Sequence, residues 1–409
     1  MNHSPSAGGA SPKATIRDVD VAHKRVLVRV DFNVPMDHGR IVDDTRIRQA
    51  VPTIKALRER QARVILLTHL GRPDGNVDES ARTSPLAARL SELLEVPVGH
   101  AGDCIGPEVE AEVAALGDAE VLMLENVRFH RGETRNDPEF AAQLARLADV
   151  FVNDAFGTAH RAHASTVGVA AHLPAVAGLL LEREIVTLGR IMRDPPHPLV
   201  AIIGGSKIST KMGVLRSLLG RVDRLCIAGA MACTLFAARG MAMGHSLVEE
   251  DQLETARSFL AEAEGRNRAP FLPLDAVVAA EAKPGVEVQT VDIKAVPPES
   301  KVLDVGPMTV EQFLRACDGA AAVVWNGPLG VYEIPPFDQG THALAQGLAG
   351  SDAQTIIGGG DLVAALQELG IVDRMSFVST GGGATLEFLE GKTLPGIAAL
   401  KDAGDVVHA

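Results

Sequence analysis

The sequence LVAIIGGSK, residues 199–207, places five apolar residues directly before two glycines, a serine and a lysine. An unbroken apolar run of this kind predicts a strand that is covered on both faces, as in a parallel sheet. Similar runs recur along the chain, and each ends in a polar or glycine-rich turn. They begin at Arg25, Val64, Val121, Val150, Arg224, Lys301, Ala322, Gln354 and Met375. We therefore expect most strands of this protein to be buried.

Segments with helical periodicity lie between these runs. Their apolar residues repeat at helical spacing in 45–59, 85–94, 138–147, 208–219, 250–264, 310–317 and 362–369. Alternation of strands and helices predicts an α/β fold with doubly wound parallel sheets. Because 409 residues are too many for one compact core, we expect two such Rossmann-like lobes.

The division between the lobes is marked by a helical segment at 178–193, which is followed by prolines at 195, 196 and 198. Prolines end a helix, so this segment predicts a helix that joins the lobes and serves as a hinge. We expect a flexible tail at 1–13, an N-terminal domain at 14–177, the hinge helix at 178–193 and a C-terminal domain at 194–394. Residues 395–409 are expected to pack back on the N-terminal domain.

Composition restricts the class of protein. Hydrophobic residues make up 46% of the chain and charged residues 22%, which is typical of a globular protein. The net charge of −13 argues against binding to nucleic acids or anionic membranes. Neither a signal peptide nor an apolar stretch of about 20 residues is found. The four cysteines have no metal-ligand spacing. We expect a cytoplasmic protein that catches anions with a local cluster of cations.

Arginines and histidines follow the strands of the N-terminal half. They lie in RVDFNVP (29–35), HLGR (69–72), ENVRFH (125–130) and GTAHRAH (157–163). The carboxyl ends of parallel strands share one edge of a sheet, so these guanidinium groups would converge on phosphate or carboxylate oxygens. A single arginine is better explained by an ordinary surface ion pair. Four such positions favour an anion site.

The C-terminal half instead places glycines after its strands, in GGSK (204–207), GGGD (358–361) and STGGG (379–383). Glycines allow backbone amides at helix N-termini to approach phosphates closely. Lys207 and Lys211, one helical turn apart, would face the same anion. Asp361 could hold a magnesium ion against the phosphates. The spacing matches neither a Walker A loop nor a dinucleotide fingerprint.

Together with WNGP (325–328), these motifs resemble the phosphoglycerate kinase family and occur in its order from about residue 25 to residue 400. The resemblance implies a glycolytic kinase that reversibly transfers a phosphoryl group from 1,3-bisphosphoglycerate to ADP, giving 3-phosphoglycerate and ATP. It implies direct in-line transfer after domain closure. It also implies Mg²⁺ as cofactor and a cytoplasmic monomer without nucleic-acid or membrane partners.

The resemblance further assigns roles to individual residues. The hydroxyl and carboxyl end of the glycerate would be held by Asp31, Asn33, His69 and Arg46, and the phosphate that is not transferred by Arg72, Arg128 and Arg161. Phe32, Leu70 and Gly71 belong to the same substrate site. The nucleotide would be bound by Lys211, Asn326, Glu333, Gly359, Gly360, Asp361 and Leu362, with Asp361 on the magnesium ion. The catalytic groups around the moving phosphoryl would be Arg46, Lys207, Gly382 and Gly383.

Four residues on the nucleotide side depart from the family's pattern. Leu362 stands where the family usually has Thr or Ser, which removes a hydroxyl contact to phosphate. Ala228 and Ala230 flank a glycine where a more glycine-rich stretch is expected, and Val302 replaces a smaller residue. These departures concern nucleotide affinity more than the reaction catalysed.

The sequence leaves two alternatives to a kinase. A nicotinamide-dependent dehydrogenase would need a dinucleotide fingerprint and an acidic ribose ligand, neither of which is found. A non-catalytic protein that keeps the fold is the second alternative. Against it, the chain retains Arg46, Lys207, Lys211 and Asp361.

Overall fold

The structure of this protein is a computed structural model that describes residues 12–406. The chain divides into two compact units. Unit 1 comprises Met1–Thr187 with Thr393–Ala409, and unit 2 comprises Leu188–Lys392. Most of the predicted tail lies outside the described residues, but Lys13 forms an ion pair with Asp402 in which Nζ lies 2.8 Å from Oδ1.

Strands and helices alternate along unit 1. The strands are β1 (Arg25–Arg29), β2 (Met36–Asp37), β3 (Arg40–Ile41), β4 (Arg63–Leu67), β5 (Val98–His100), β6 (Val121–Met123), β7 (Val150–Asn153) and β8 (Ala175–Ala177). The helices are α1 (Thr45–Glu59), α2 (Ser84–Leu94), α3 (Pro107–Ala115), α4 (Arg131–Thr134), α5 (Pro138–Ala145) and α6 (Leu179–Arg193). Helix α6 continues from unit 1 into unit 2.

Six of these strands form a parallel sheet in the order β5-β6-β4-β1-β7-β8. Strand β1 has a partner on each side, so that Val26 pairs with both Val64 and Val150. Val26, Leu27 and Val28 are fully buried, which explains why this strand reads as an unbroken apolar run. Strands β2 and β3 form a separate antiparallel pair.

Unit 2 repeats this alternation. Its strands are β9 (Leu199–Ile203), β10 (Arg224–Ile227), β11 (Asp275–Ala279), β12 (Gln289–Asp292), β13 (Lys301–Val305), β14 (Ala322–Asn326), β15 (Gln354–Gly358) and β16 (Phe377–Val378). Its helices are α7 (Met212–Leu219), α8 (Ala230–Ala238), α9 (Leu253–Gly265), α10 (Pro307–Cys317), α11 (Gln339–Ala349), α12 (Gly360–Glu368) and α13 (Gly383–Leu389). Strands β10-β9-β14-β15-β16 form a second parallel sheet, so the prediction of two parallel α/β sheets is confirmed.

The strand predicted at Lys301 is present, but the prediction that it belongs to a parallel sheet was wrong. It is β13, which belongs to an antiparallel sheet of order β12-β11-β13 and not to either parallel sheet. An apolar run indicates that a strand is buried but not which way its neighbour runs. Strand β12 was not predicted because its residues are mostly exposed and show no apolar run.

Helix starts also differ from the predictions. The helix predicted at 208–219 begins at Met212, and the helix predicted at 310–317 begins at Pro307. Proline lies in the first turn of α2, α3, α5 and α10, where its missing N–H costs no hydrogen bond. Within residues 12–406, no helix combines the length and the apolar character that crossing a membrane would require.

The chain returns to unit 1 after Lys392. Two short helices, α14 (Pro395–Ala398) and α15 (Ala403–Val406), form this segment. The N–H of Gly396 donates to the carbonyl of Ala159 at 2.8 Å, and the N–H of Lys401 donates to the carbonyl of Ala175 at 3.0 Å. These bonds tie the C-terminal segment to the loop after β7 and to the start of β8.

Asp154 fixes the start of α6. Its carboxylate is fully buried, and Oδ1 accepts hydrogen bonds from the N–H groups of Leu180 at 2.9 Å and Leu181 at 3.2 Å. Any Cβ on Gly178 would overlap this carboxylate, so glycine is required there. Burial raises the pKa of Asp154 to about 6. The side chain therefore caps the helix but is costly to ionise.

We predict that Asp154→Asn gains stability relative to the wild type as pH rises. The folded-state pKa of about 6 lies above the ordinary 3.8, so ionisation of Asp154 opposes folding once pH passes this window. The asparagine carbonyl can accept the same two hydrogen bonds without ionising. Between about pH 4 and about pH 6, the difference in free energy of unfolding should shift towards the variant by roughly 3 kcal/mol. Denaturant unfolding at several pH values measures it, and a difference independent of pH would contradict the assignment.

Candidate functional site

The carboxyl edge of the unit 1 sheet carries a cleft of about 380 Å³. The loops that follow β4, β6 and β7 supply its cations. Its lining includes Arg72, Arg128 and Arg161, together with His130 and His163. The predicted phosphate clamp is thus three arginines that line one cleft, an arrangement suited to the oxygens of a phosphate.

Arg128 shows the electrostatic character of this cleft. Its guanidinium is nearly buried, and Nη1 donates to the carbonyl of Gly71 at 2.6 Å. Burial and the neighbouring cations Arg29 and Arg161 lower the pKa of Arg128 to about 10. Within residues 12–406, its Nε has no hydrogen-bond partner. An anion in the cleft would relieve both the repulsion and the unpaired donor.

Asp31 and Arg46 form an ion pair beside the end of β1. Arg46 Nη1 donates to Asp31 Oδ2 at 2.8 Å. The other carboxylate oxygen, Oδ1, is buried and has no hydrogen-bond partner in the described part of the chain. Asn33 accepts a hydrogen bond from the N–H of Gly71 at 2.9 Å through its amide oxygen. Asp31 Oδ1 is therefore a buried acceptor that a ligand hydroxyl could satisfy.

His69 is a buried imidazole surrounded by cations. Its Nδ1 lies 3.0 Å from Nη2 of Arg29. The pKa of His69 is held well below its ordinary value, mainly by burial. The positive charges of four arginines lower it further: Arg29, Arg128, Arg161 and Arg46. The imidazole is therefore neutral at physiological pH.

Arg29 begins the motif RVDFNVP, but no role in the site was predicted for it from the sequence. It ends strand β1 and is 1% exposed. Its Nε donates to Ser165 Oγ at 2.9 Å, and this hydroxyl donates to the buried carboxylate of Glu133 at 2.7 Å. The signal that could have found it is a charged residue inside the apolar run RVLVRV, because a buried arginine is rarely left without a partner.

Two predicted substrate residues have side chains in the core. Phe32 and Leu70 both pack in the main cluster of unit 1. The backbone N–H of Phe32 donates to Thr68 Oγ1 at 3.0 Å. Gly71, by contrast, is exposed beside the arginine cleft. Phe32 and Leu70 support the shape of the site from below.

In unit 2, glycines bring backbone segments into close contact. A Cβ on Gly204, just after β9, would overlap the carbonyl oxygen of Pro328 in the loop after β14. Gly229, at φ +77°, is equally crowded, because its Cβ would overlap the carbonyl oxygen of Gly205. The loops after three neighbouring strands therefore meet backbone to backbone, which leaves amides to face a ligand.

The two lysines of this loop have different surroundings. Lys211 is largely buried, its Nζ donates to Asn326 Oδ1 at 2.6 Å, and burial lowers its pKa to about 8, against the opposing charge of Asp361. Lys207 is exposed. They do not lie one helical turn apart, because α7 begins only at Met212 and Lys207 lies in the preceding loop. That prediction was wrong because the glycine loop extends further than the periodicity indicated.

A second cleft, of about 260 Å³, lies beside these loops. Its lining includes Glu333 and Asp361, which the sequence predicted to bind the nucleotide. Ala230 and Val302 also line it. Lys207, Lys211 and Asn326 are not among the residues that line it. The two departures Ala230 and Val302 therefore face the cleft and affect its width.

The other two departures face the core. Ala228 and Leu362 are fully buried in the main cluster of unit 2. Leu362 belongs to α12, which begins at Gly360 after the cap residue Gly359. Helix α13 likewise begins at Gly383 after Gly382. At Leu362 the leucine side chain replaces a hydroxyl without entering the cleft, and the N–H groups at the helix start remain the groups available to an anion.

A separate group of possible metal ligands was not visible in the sequence spacing. Side-chain atoms of Asp103, Cys104 and His130 lie within 4.8 Å of one another. His130 Nε2 and Asp103 Oδ1 already form a 2.6 Å hydrogen bond, and burial raises the pKa of the Cys104 thiol well above its ordinary value. A protonated thiol is a poor metal ligand. The hydrogen bond accounts for this cluster.

The fold and the two clefts define the class of protein. Two parallel α/β sheets, one ending in arginine-rich loops and the other in glycine-rich loops, make this a two-unit α/β protein.

Comparison with known proteins gives the family. A family profile described as phosphoglycerate kinase matches residues 16–392. The phosphoglycerate kinases of Pelotomaculum thermopropionicum and Moorella thermoacetica are each 54% identical over 390 residues, which is 95% of this chain and 99% of each relative. The chain belongs to the phosphoglycerate kinase family.

Solved structures give the same result. Phosphoglycerate kinase from Coxiella burnetii has a TM-score of 0.84 and 43% identity, covering 95% of this chain and 98% of that one. Phosphoglycerate kinase from Pyrococcus horikoshii OT3 has a TM-score of 0.85 and 31% identity, covering 96% of this chain and 100% of that one.

Proposed function

We propose that this chain catalyses the reversible transfer of a phosphoryl group from 1,3-bisphosphoglycerate to ADP, giving 3-phosphoglycerate and ATP. The observation that carries the proposal, beside family membership, is the cleft in which Arg72, Arg128 and Arg161 lie together. The protein as a whole is acidic, so an anionic substrate needs a locally positive cleft of this kind.

The substrate would bind along the edge of the unit 1 sheet. The three arginines would hold the phosphate that is not transferred, since a guanidinium matches phosphate oxygens in charge and geometry. Asp31 Oδ1, which lacks a partner within residues 12–406, would accept the hydroxyl of the glycerate. Asn33, His69 and Arg46 would donate hydrogen bonds to its carboxyl end.

The nucleotide would bind to unit 2. Lys211 and Asn326 would meet its phosphates, Glu333 its ribose, and the N–H groups of Gly359, Gly360 and Leu362 further phosphate oxygens. Asp361 fits a Mg²⁺ site, because it is an exposed carboxylate that lines the same cleft as Glu333, and Mg²⁺ prefers one or two carboxylates with phosphate oxygens. Bound Mg²⁺ would neutralise part of the phosphate charge.

The chemistry needs positioning and charge neutralisation more than acid–base catalysis. The acceptor carboxylate of 3-phosphoglycerate is already a nucleophile, so no general base is required. Arg46, Lys207 and the amides of Gly382 and Gly383 would stabilise charge on the moving phosphoryl group. We also propose that transfer is direct and in line, after domain closure that excludes water from the acyl phosphate.

The finer features belong to the same proposal. We place the enzyme in the cytoplasm as a monomer that uses Mg²⁺ and binds neither nucleic acid nor membrane. The net charge of −13 supports the last point, since the overall field repels polyanions. Light scattering of the purified protein would measure its oligomeric state.

A coupled assay tests the function directly. Purified protein is mixed with 3-phosphoglycerate and Mg-ATP, and the 1,3-bisphosphoglycerate formed is reduced by added glyceraldehyde-phosphate dehydrogenase with loss of NADH absorbance. We expect a rate that depends on both substrates. A rate equal to that of the blank would sink the proposal and favour a protein that has kept the fold without the activity.

We predict that Arg46→Ala lowers kcat by roughly 100-fold or more, because it removes a cation from the moving phosphoryl group. The Kd for Mg-ATP, measured by titration calorimetry, should remain near that of the wild type. Arg48→Ala is the matched control, because Arg48 lies on the same helix and its Nε pairs with Asp44 Oδ1 at 2.7 Å. An equal loss of ATP affinity in Arg46→Ala would mean that Arg46 belongs to the nucleotide site.

Lys211 predicts a pH dependence of nucleotide affinity. Its pKa of about 8 means that the free protein loses this cation as pH rises above that value. The Kd for Mg-ADP should therefore rise above about pH 8, by up to about tenfold per pH unit. In Lys211→Arg the cation persists, so the profile should be flat over the same range. Calorimetry from about pH 7 to about pH 9.5 distinguishes them, and matching profiles would contradict the role of Lys211.

A further inference from the structure

The contact between Arg29 and His69 determines where the imidazole carries its proton. Arg29 Nη2 lies 3.0 Å from His69 Nδ1, which is a hydrogen-bonding distance. A guanidinium in a protein stays protonated and has no acceptor, so Arg29 can only donate. His69 Nδ1 must then accept, and a neutral imidazole with a bare Nδ1 carries its proton on Nε2.

A hydrogen bond from His69 Nδ1–H to Asp31 would favour the other tautomer, but Asp31 lies too far away to form it. Its unpartnered oxygen Oδ1 lies 3.9 Å from the same Nδ1 atom of His69, which is beyond a hydrogen bond. A carboxylate bonded to Nδ1 would require the proton on that nitrogen and leave Nε2 bare. Arg29 occupies Nδ1 instead, and thereby selects the tautomer that a histidine–aspartate pair would exclude.

We propose that Arg29 is a positioning residue that acts through His69, keeping the imidazole as a neutral donor whose Nε2–H is available to an anionic oxygen of the substrate. Within residues 12–406, Nε2 of His69 has no hydrogen-bond partner of its own. A substrate carboxylate or phosphate oxygen can accept a hydrogen bond but cannot donate one, so only the Nε2–H tautomer binds it well. This inference rests on the proposed function for the identity of the substrate, but not for the tautomer.

The charges around His69 favour the same state. Cations face it from the end of β1, from α1 and from the loops after β6 and β7: Arg29, Arg46, Arg128 and Arg161. Asp31 is the carboxylate at its Nδ1 side. A protonated imidazole would place an Nδ1–H against the N–H of Arg29, two donors face to face. His69 therefore binds an anion through a fixed dipole that does not titrate near neutral pH.

Arg29 is itself held in place by a buried network. Its Nη1 donates to the carbonyl of Val30, and its Nε donates to Ser165, whose hydroxyl donates to Glu133. The Glu133 carboxylate also accepts the N–H of Ser165 at 2.9 Å and is fully buried. These bonds compensate the buried charge and fix the direction of the Nη2–H that meets His69.

The first test uses the unmodified protein. Long-range ¹H–¹⁵N NMR spectra of protein labelled at its 13 histidines distinguish a bare from a protonated ring nitrogen. The His69 signals are assigned by their loss in His69→Gln. We expect a bare Nδ1 and a protonated Nε2, unchanged between about pH 5.5 and about pH 8.5. A proton on Nδ1, or titration within this range, would overturn the inference without any variant of Arg29 having to fold.

The second test removes the donor. In Arg29→Met, His69 Nδ1 loses the donor that keeps it bare, so the His69 signals should shift towards a mixture of the Nδ1–H and Nε2–H tautomers. The KM for 3-phosphoglycerate should rise roughly tenfold, as expected for a lost charge-assisted hydrogen bond, while the KM for Mg-ATP stays unchanged. Arg29→Lys restores a cationic donor and should return the His69 signals towards those of the wild type.

The matched control is Arg25→Met in the same strand. Arg25 is paired with Asp149 at the surface, with Nη2 2.7 Å from Oδ1. Its removal should leave the His69 signals and both KM values unchanged. If Arg29→Met folds and its His69 keeps the wild-type signals at every pH, Arg29 does not set the tautomer. If the wild type shows no turnover but carries its proton on Nε2, the proposed function fails while the tautomer assignment stands.

Discussion

The burial of Arg29 at the end of β1 is the interaction on which the site of unit 1 depends. A guanidinium removed from water must find hydrogen bonds and an opposite charge nearby. It finds them in Ser165 and Glu133, while its remaining donor meets His69. Because one cation is fixed beneath the sheet edge, the nearby Arg128 is held against repulsion. This cluster of cations therefore favours an anionic ligand.

Unit 2 meets the same need with backbone. Gly204 and Gly229 allow three loops to approach more closely than any side chain would permit, and in the proposed function amides at helix starts bind the anion. Lys211 adds an ammonium group whose pKa is lowered by burial and whose position is fixed by a hydrogen bond to Asn326. Leucine at 362 is compatible with this design because its side chain enters the core. The proposed substrate site is built mainly from side chains and the proposed nucleotide site mainly from backbone, which suits ligands that differ in size and charge distribution.

Much of the fold was predictable because burial on both faces leaves a direct trace in the sequence. Strands β1, β4, β9 and β14 were found as unbroken apolar runs, and α1 was found with both its ends. Strands β5 and β12 were missed because they are only partly buried or mostly exposed, whereas β8 and β11 were missed although they are largely buried. The antiparallel direction of β13 could not be predicted from its apolar run, since hydrophobicity does not indicate the orientation of a neighbouring strand.

The sequence by itself determined which chemical groups stand at the strand ends: acid and imidazole at Asp31 and His69, guanidinium at Arg128, and glycine at 204. Only the tertiary structure decided which atoms meet. Arg29 ends β1 and His69 lies in the loop after β4, and their contact sets a tautomer that no local pattern encodes. A sequence pattern reports whether a residue is buried, whereas hydrogen bonds and pKa values depend on distances between residues that are far apart along the chain.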